Sequence, residues 1–303
     1  MQKEQLERLK NLAGGNLLPH CSMADHTTFR VGGTIGGLLC VEKTEELIQA
    51  LQFLEEEGIP WFVLGRGSNL LVMDGDLPWV GVRLTGTFCT IQEEKSDEPM
   101  VAAGAGASLV QLLEFCRSKG YGGAEFLAGI PGTVGGAAVM NAGAFGKEMA
   151  SLINGVHLVT HKGAGITADR QYLSFRYRKM DLAAGAIVTR ALLKVKKSTP
   201  GEVAEKIKLY LGKRKKMQPL EYPSAGSIFK NPEGDHAGRL VEAAGLKGKM
   251  RGGAMISTKH GNWIVNTGKA TAQDIFELIT VAREEVLKAA GIELDLEIRV
   301  IGK

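Results

Sequence analysis

An α+β fold in two or three domains is what this sequence predicts, and three observations carry it. Its 303 residues exceed the size at which a single hydrophobic core usually stops growing. Strand-like apolar runs alternate with amphipathic helical runs up to Pro200, after which the composition turns basic. Glycine is in excess, 40 residues against 9 prolines, about twice ordinary usage. The hydrophobic share of 44% and charged share of 23% stay ordinary, so the glycines suggest backbone packed close to something rather than disorder.

Taken in order, the elements read as follows. The opening MQKEQLERLKNL is charged and helical in pattern, with no apolar stretch of the kind a secretory leader carries. IGGLLCVE reads as a strand. Thr44 to Glu57 sets Leu47, Leu51 and Leu54 on one face behind an acidic first turn, with Thr44 as the expected cap and Gly58 and Pro60 as stops. PWFVLG is strand-like and completes a β-α-β rhythm. Ser108 and Gln111 form a capping box ahead of LVQLLEFCRSK, which Gly120 ends. GVHLVT, the stretch near Thr167 to Leu173, and AIVTRALLKV read as strands.

Beyond Pro200, EVAEKIKLYLGKRKK is a basic helical piece and HAGRLVEAAG a short helix. Thr271 and Asp274 box the start of a long helix on which Ile275, Leu278, Ile279, Ala282 and Val286 share a face. ELDLEIRVIG alternates like a half-buried strand. Three domains are expected, over residues 1–90, 91–200 and 201–303.

Several function classes lose support at once. A net charge of +4 is too small and dispersed to argue for nucleic acid. Cys21, Cys40, Cys89 and Cys116 form no C-x-x-C, and His157 and His161 read as strand-face residues, so no metal and no disulfide framework are expected. Reduced thiols and the absence of a leader point to the cytoplasm. Phe126 to Gly146 runs 21 residues without a charge, but its six glycines, Pro131 and Asn141 would leave backbone groups unsatisfied in lipid; buried loop and turn is the expectation. The pairs Gly65/Gly67 and Gly104/Gly106 lack the third glycine of a dinucleotide fingerprint, with Leu70 and Leu109 in its place, and no P-loop occurs.

What remains is a set of glycine-rich turns, TTFRVGGTIGG, GRGSNLL and GIPGTVGGAAVMNAGAFG. Each can aim backbone N–H groups at a phosphate without side chains intervening. Together, with Ser68 and Asn69 as further donors, they favour a nucleotide site. A separate stretch, YPSAGSIFKNP, holds Ser227 in a setting without a nucleophile elbow, since Ala225 and Phe229 stand where glycines would be needed.

The order HTTFRVGG, VLGRGSNLLV, GAEFLAGIPGTVGGAAVMNAGAFG, SFRYRK, PSAGSIFKNP and LEIRVIG, from about Asp25 to Gly302, resembles the UDP-N-acetylenolpyruvoylglucosamine reductase family. The resemblance implies a fold of the vanillyl-alcohol-oxidase type, with two FAD-binding α/β subdomains followed by an α+β substrate domain. It implies non-covalent FAD, with NADPH as co-substrate, reducing the enolpyruvyl group of UDP-GlcNAc-enolpyruvate to give UDP-N-acetylmuramate for peptidoglycan.

By that resemblance Ser227 is the proton donor to C2, and Glu297 and Arg178 are the groups that polarise the substrate carboxylate. Alternation alone places Glu293, Asp295, Glu297 and Arg299 on one face and cannot choose among them. Arg176 competes with Arg178. The resemblance further assigns FAD contacts to Arg30, to Gly65, Arg66, Gly67, Ser68 and Asn69, to Gly129, Ile130, Pro131, Gly132, Thr133, Gly135 and Gly136, and to Asn141, Ala142 and Gly143. Substrate contacts fall to Tyr177, Lys230 and Asn231.

Lys206 to Lys216 holds six basic residues in eleven; Arg214 is its first candidate for a diphosphate. Longer members of the family insert a tyrosine-bearing segment that has no counterpart here, which makes this chain the shorter type. The expected partners are the sugar nucleotide and NADPH, with no nucleic acid or membrane, and a monomer is the working expectation. A flavoenzyme with another acceptor and a nucleic-acid-binding protein using the basic run remain the competing readings.

Overall fold

The computed structural model describes residues 2–160, 162–163 and 165–303, so His161 lies outside the described residues. Seven helices are described: α1 Lys3–Leu12, α2 Thr44–Glu56, α3 Leu109–Lys119, α4 Val134–Val139, α5 Pro200–Met217, α6 Ala237–Ala243 and α7 Ala272–Ala290. None of the described helices is long and apolar enough to cross a membrane.

The chain folds into two compact units, and neither is a contiguous stretch of sequence. The first comprises Met1–Pro19, Gly36–Gly65 and Pro78–Lys213. The second comprises His20–Ile35, Arg66–Leu77 and Arg214–Lys303. This differs from the division into residues 1–90, 91–200 and 201–303, and the reason is physical. Phe29, Val31 and Leu71 are buried in one cluster with Ile228, Phe229, Ile275 and Leu278, and Leu70–Val72 pairs in parallel with Arg299–Ile301. Two early segments are therefore built into the fold of the C-terminal part. A linear reading of composition has no access to such pairings.

In the first unit a five-stranded sheet runs in the order Gly165–Asp169, Ile153–Val159, Ile187–Lys194, Met100–Gly104, Ile91–Glu94, with every neighbour antiparallel. A second sheet has the order Leu17–Ser22, Thr34–Val41, Asp76–Leu84, Trp61–Val63. Trp61–Val63 lies parallel to Val80–Val82. Leu47, Leu51 and Leu54 of α2 are fully buried, in one core with Val80, Val101, Leu112, Phe126 and Leu193.

The cap of α2 differs from expectation by one residue. Lys43 holds the cap position and Thr44 is already helical, while Glu46 accepts from the N–H groups of Glu42 and Lys43 at 3.0 and 3.2 Å. The box at Ser108 forms as expected, with Gln111 N–H donating to Ser108 Oγ at 3.2 Å, and Gly120 closes α3 at φ +65°.

The uncharged stretch from Phe126 to Gly146 is not loop throughout. Val134–Val139 forms α4, capped by Thr133 Oγ1 accepting from Gly136 N–H at 3.3 Å. Its Gly and Ala residues let it sit close: Gly135 N–H donates to Ala105 O at 2.9 Å, an approach that larger side chains would prevent.

In the second unit α7 buries Ile275, Leu278, Ile279, Ala282 and Val286 as its periodicity predicts. Each larger aliphatic side chain of this stripe contributes about 1.5–3 kcal/mol on burial. The alternating ELDLEIRVIG is a regular strand only over Arg299–Ile301. Upstream of it the chain makes an isolated antiparallel bridge, Phe229 to Leu296.

Candidate active site

The serine stretch in the second unit is held by its neighbours' backbones and two buried amides, and by the burial of Ala225, Ile228 and Phe229 in the core. Gly226 adopts φ +76°, and Ser227, half-buried, follows it. Ile228 N–H donates to Asn262 O at 3.0 Å, and Ile228 O accepts from Glu297 N–H at 2.8 Å. Asn262, 3% exposed, clamps the next residue from both sides: its Oδ1 accepts from Phe229 N–H at 2.9 Å and its Nδ2 donates to Phe229 O at 2.7 Å. Asn266, also buried, takes Pro223 O through its own N–H at 2.9 Å and reaches Phe29 O through Nδ2 at 3.0 Å. Sequence reading overlooked both amides. Their only signal was a pair of polar residues punctuating the apolar run NWIVN.

Glu297 is brought beside the serine by this ladder. It is half-buried, whereas Glu293, Asp295 and Arg299 are exposed. Burial therefore separates the four residues that alternation could not. Asn69 Nδ2 donates to Glu297 O at 3.0 Å and Asn69 O accepts from Arg299 N–H at 2.9 Å, so the GRGSN turn is tied to the same strand. Gly67, at φ +64°, lies where a Cβ would come within 2.2 Å of His26 O. Only glycine fits there.

Of the other predicted residues in this unit, Lys230 is half-buried and its N–H donates to Asp295 O at 2.8 Å. Asn231 Oδ1 accepts from Ala237 N–H at 3.1 Å at the start of α6. Arg30 is exposed and left-handed at φ +56°. Arg66 is exposed, Ser68 half-buried. Arg214 is 7% exposed and reaches Gln218 Oε1 at 3.4 Å, which sets it apart from the solvated lysines on either side.

His260, close to Asn262, accepts from Asn262 N–H through Nδ1 at 3.2 Å. Burial, with Lys247 nearby, pushes its pKa below the usual histidine value, Glu242 opposing in part. A neutral ring is what that acceptor role requires.

The first unit carries the other half of the expected constellation. Phe175–Arg176 and Lys179–Met180 form a hairpin whose two-residue turn is Tyr177 and Arg178. Arg178 stands at φ +59°, a left-handed position usually given to glycine. Its guanidinium lies over the Tyr177 ring at 5.0 Å. The competitor, Arg176, is taken up by Asp181 in a bidentate pair with both bonds at 2.8 Å. That pairing holds the Asp181 carboxyl below its usual range.

The turn at residues 129–136 already commits most of its backbone donors to the protein: the N–H groups of Ile130, Gly132, Val134, Gly135 and Gly136 donate to Leu127 O, Ile130 O, Ala107 O, Ala105 O and Thr133 Oγ1. Gly129, Pro131 and Gly136 are exposed while Ala128, Val134 and Gly135 are buried, so solvent-facing backbone here carries no bulky side chain to obstruct approach. Ile130 and Gly132 are half-buried within it, and Thr133 is committed to capping α4. Ala142 and Gly143 are half-buried in the hairpin that follows. The Asn141 amide is spent on protein groups, and the N–H groups of Asn141 and Ala142 donate to Ala138 O and Ala137 O at 3.0 and 2.8 Å. Among the described residues no three His, Cys, Asp or Glu side chains are grouped to hold a metal.

Residues 35–169 match an FAD binding domain, and residues 218–301 match the C-terminal domain of UDP-N-acetylenolpyruvoylglucosamine reductase. The UDP-N-acetylenolpyruvoylglucosamine reductase of Myxococcus xanthus is 39% identical over 296 residues, 97% of this chain and 95% of that protein. The chain belongs to the UDP-N-acetylenolpyruvoylglucosamine reductase family.

The reductase of Moorella thermoacetica is 43% identical over 93% of this chain and 92% of its own. The crystal structure of the reductase from Thermus caldophilus superposes with a TM-score of 0.81 at 41% identity, covering 93% of this chain and 97% of that one. At 12% identity a vanillyl-alcohol-oxidase-type flavoprotein from Myceliophthora thermophila shares the fold alone, with a TM-score of 0.50 over 99% of this chain and 64% of its own. The family fold and its FAD-binding segment thus agree with expectation. So does the shorter type: the described residues pass from Asp181 through Ile187–Lys194 and Lys196–Lys197 into α5 without an inserted segment.

Proposed function

We propose that this chain reduces UDP-GlcNAc-enolpyruvate to UDP-N-acetylmuramate with electrons from NADPH, in the cytoplasm, for peptidoglycan synthesis. The match of an FAD-binding segment and a reductase C-terminal domain to one chain, over nearly its whole length, is the observation that carries this reading. FAD would be held by Arg30, the turns 65–69 and 129–136, and Asn141, Ala142 and Gly143, and would supply the hydride chemistry that links NADPH to C3 of the enolpyruvyl group.

The protein's own work begins with the charge that hydride transfer creates. Negative charge develops at C2 and on the conjugated carboxylate, and the product needs a proton at C2. Arg178 offers a planar, permanently charged fork to the carboxylate, and its left-handed turn is strain of the kind retained at sites that use it. Glu297 is assigned, with Arg178, to polarise the same carboxylate, a role in which its carboxyl must donate a hydrogen bond, since an ionised glutamate would repel the developing charge. Ser227 delivers the proton. A hydroxyl is a weak acid in water and burial alone weakens it further, so the role needs cationic groups beside the nascent alkoxide; Asn262, by clamping Phe229, fixes the chain segment that carries the serine. Tyr177, Lys230, Asn231 and Arg214 are assigned to the sugar nucleotide.

The decisive experiment separates the two half-reactions. Purified protein should show flavin absorbance, NADPH should bleach it anaerobically, and the enolpyruvyl sugar nucleotide should restore it within the enzyme's turnover time. Ser227→Ala is expected to keep reduction by NADPH while reoxidation falls by about 10²–10⁴-fold, the usual worth of a general acid. Equal loss in both halves would make the serine structural. A flavin reoxidised by an unrelated acceptor and not by the enolpyruvyl sugar nucleotide would favour the alternative flavoenzyme.

A further inference from the structure

Asn141 is 1% exposed and left-handed at φ +41°, and its side chain makes three hydrogen bonds to protein. Nδ2 donates to Glu148 Oε2 at 2.9 Å and to Arg176 O at 3.1 Å, and Oδ1 accepts from Ala150 N–H at 2.9 Å. Both donors and one acceptor position are thereby used.

Two of those partners lie on different hairpins. Arg176 begins the turn that carries Arg178, being paired with Lys179 across it. Glu148 belongs to the hairpin Gly143–Ala144 with Lys147–Glu148, in which it pairs with Gly143. The Arg178 guanidinium rests on that second hairpin: a Cβ at Gly143 would stand 2.8 Å from Arg178 Nη1. One buried amide therefore joins the backbone that launches Arg178 to the hairpin on which its guanidinium lies.

We propose that Asn141 is a positioning residue for Arg178, fixing the left-handed turn through Arg176 O and the guanidinium's seat through Glu148, with Gly143 kept small to admit it. The energetics favour this. A non-glycine residue in the left-handed region costs about 1 kcal/mol or more, so the turn at Arg178 holds only where its surroundings over-determine it. A buried amide satisfied at three points supplies that constraint. The proposal rests on the assignment of Arg178 to the substrate carboxylate, and the test distinguishes the two.

The test uses FAD-loaded protein in anaerobic stopped-flow, with NADPH reduction and reoxidation by the enolpyruvyl sugar nucleotide measured separately. Asn141→Ala is expected to slow reoxidation by about 100-fold, the usual penalty for misplacing a reacting group by about 1 Å, well beyond any change in reduction by NADPH, both rates being taken per bound flavin because residues 141–143 are also assigned to the cofactor. Gly143→Ala should behave alike. Glu148→Gln, which keeps an acceptor for the amide, should retain most of the reoxidation rate. In Arg178→Ala background, Asn141→Ala should add no further loss. Amide hydrogen exchange at Tyr177–Lys179 should accelerate in Asn141→Ala with the core strands unchanged.

Loss of flavin, equal slowing of both half-reactions, or losses that multiply with Arg178→Ala would overturn the proposal. If Arg178→Ala is crippled and Asn141→Ala is not, the proposal alone falls. If Arg178→Ala reoxidises at the native rate, the assignment of Arg178 falls and takes the proposal with it.

Discussion

Asn262 serves the serine segment in a way no apolar residue could replace, since it accepts from Phe229 N–H and donates to Phe229 O in a buried setting. Asn262→Ala strands both groups, and each buried unsatisfied backbone group costs about 1–3 kcal/mol. A loss of about 2–4 kcal/mol in urea unfolding is expected, with Asn262→Asp intermediate because it can still accept but not donate. A change below about 0.5 kcal/mol would mean water replaces the amide. At this scale the sequence is legible only where residue type restricts chemistry. Ser227 lacked an elbow and so read as something other than a nucleophile. Glu297 could not be told from Glu293 or Asp295, because alternation describes faces and the chain there is mostly irregular. Asn262 and Asn266 gave no usable signal, their partners being 33 and 237 residues away.

Helix ends were the most legible elements because their chemistry is local. Thr271 Oγ1 accepts from Asp274 N–H at 3.0 Å and Asp274 Oδ2 accepts from Thr271 N–H at 2.9 Å, the reciprocal pair that four residues of sequence can announce. The remaining two N–H groups of the first turn, on Ala272 and Gln273, donate to the carboxylate of Asp74 at 3.1 and 2.9 Å. That cap comes from 198 and 199 residues away, so no local pattern could show it. Asp74→Ala is expected to destabilise the protein by about 1–2 kcal/mol, comparable to loss of a side-chain cap with its favourable charge at a helix N-terminus. Asp74→Asn should recover part of the loss by keeping an acceptor. Thermal unfolding at low and high salt separates the charge from the hydrogen bonds, since only the former is screened. The missed helix α4 is the opposite case: Gly135 and Gly136 offset the helix preference of Ala137 and Ala138, and the short helix forms where small residues permit close packing on Ala105.

For the molecule as a whole, the compact units are discontinuous in sequence because Leu70–Val72 pairs with Arg299–Ile301, and strand pairing ignores sequence distance. The whole-molecule property that the structure does determine is the response to acid. His260 is held neutral by burial and by Lys247, with its pKa below the usual histidine value. In the unfolded chain it binds a proton more readily, so its stabilisation is complete above about pH 6.5 and declines as pH falls through the lower folded value. Carboxylates act later. Asp274 is lowered chiefly by Thr271 N–H, and Asp235 is brought to about 2 by Arg239 and His236 N–H. Their contributions are present above the ordinary carboxylate pKa, about 4, and disappear as pH falls through the folded values. Acid unfolding should therefore show two limbs. The upper limb, beginning below about pH 6.5, should vanish in His260→Gln, while the lower limb below about pH 4 remains. Because protonated His260 cannot accept from Asn262 N–H, hydrogen exchange at Ile228 and Phe229 should rise across the upper limb in the native protein and stay flat in the variant. An upper limb that survives His260→Gln would place the acid sensitivity elsewhere.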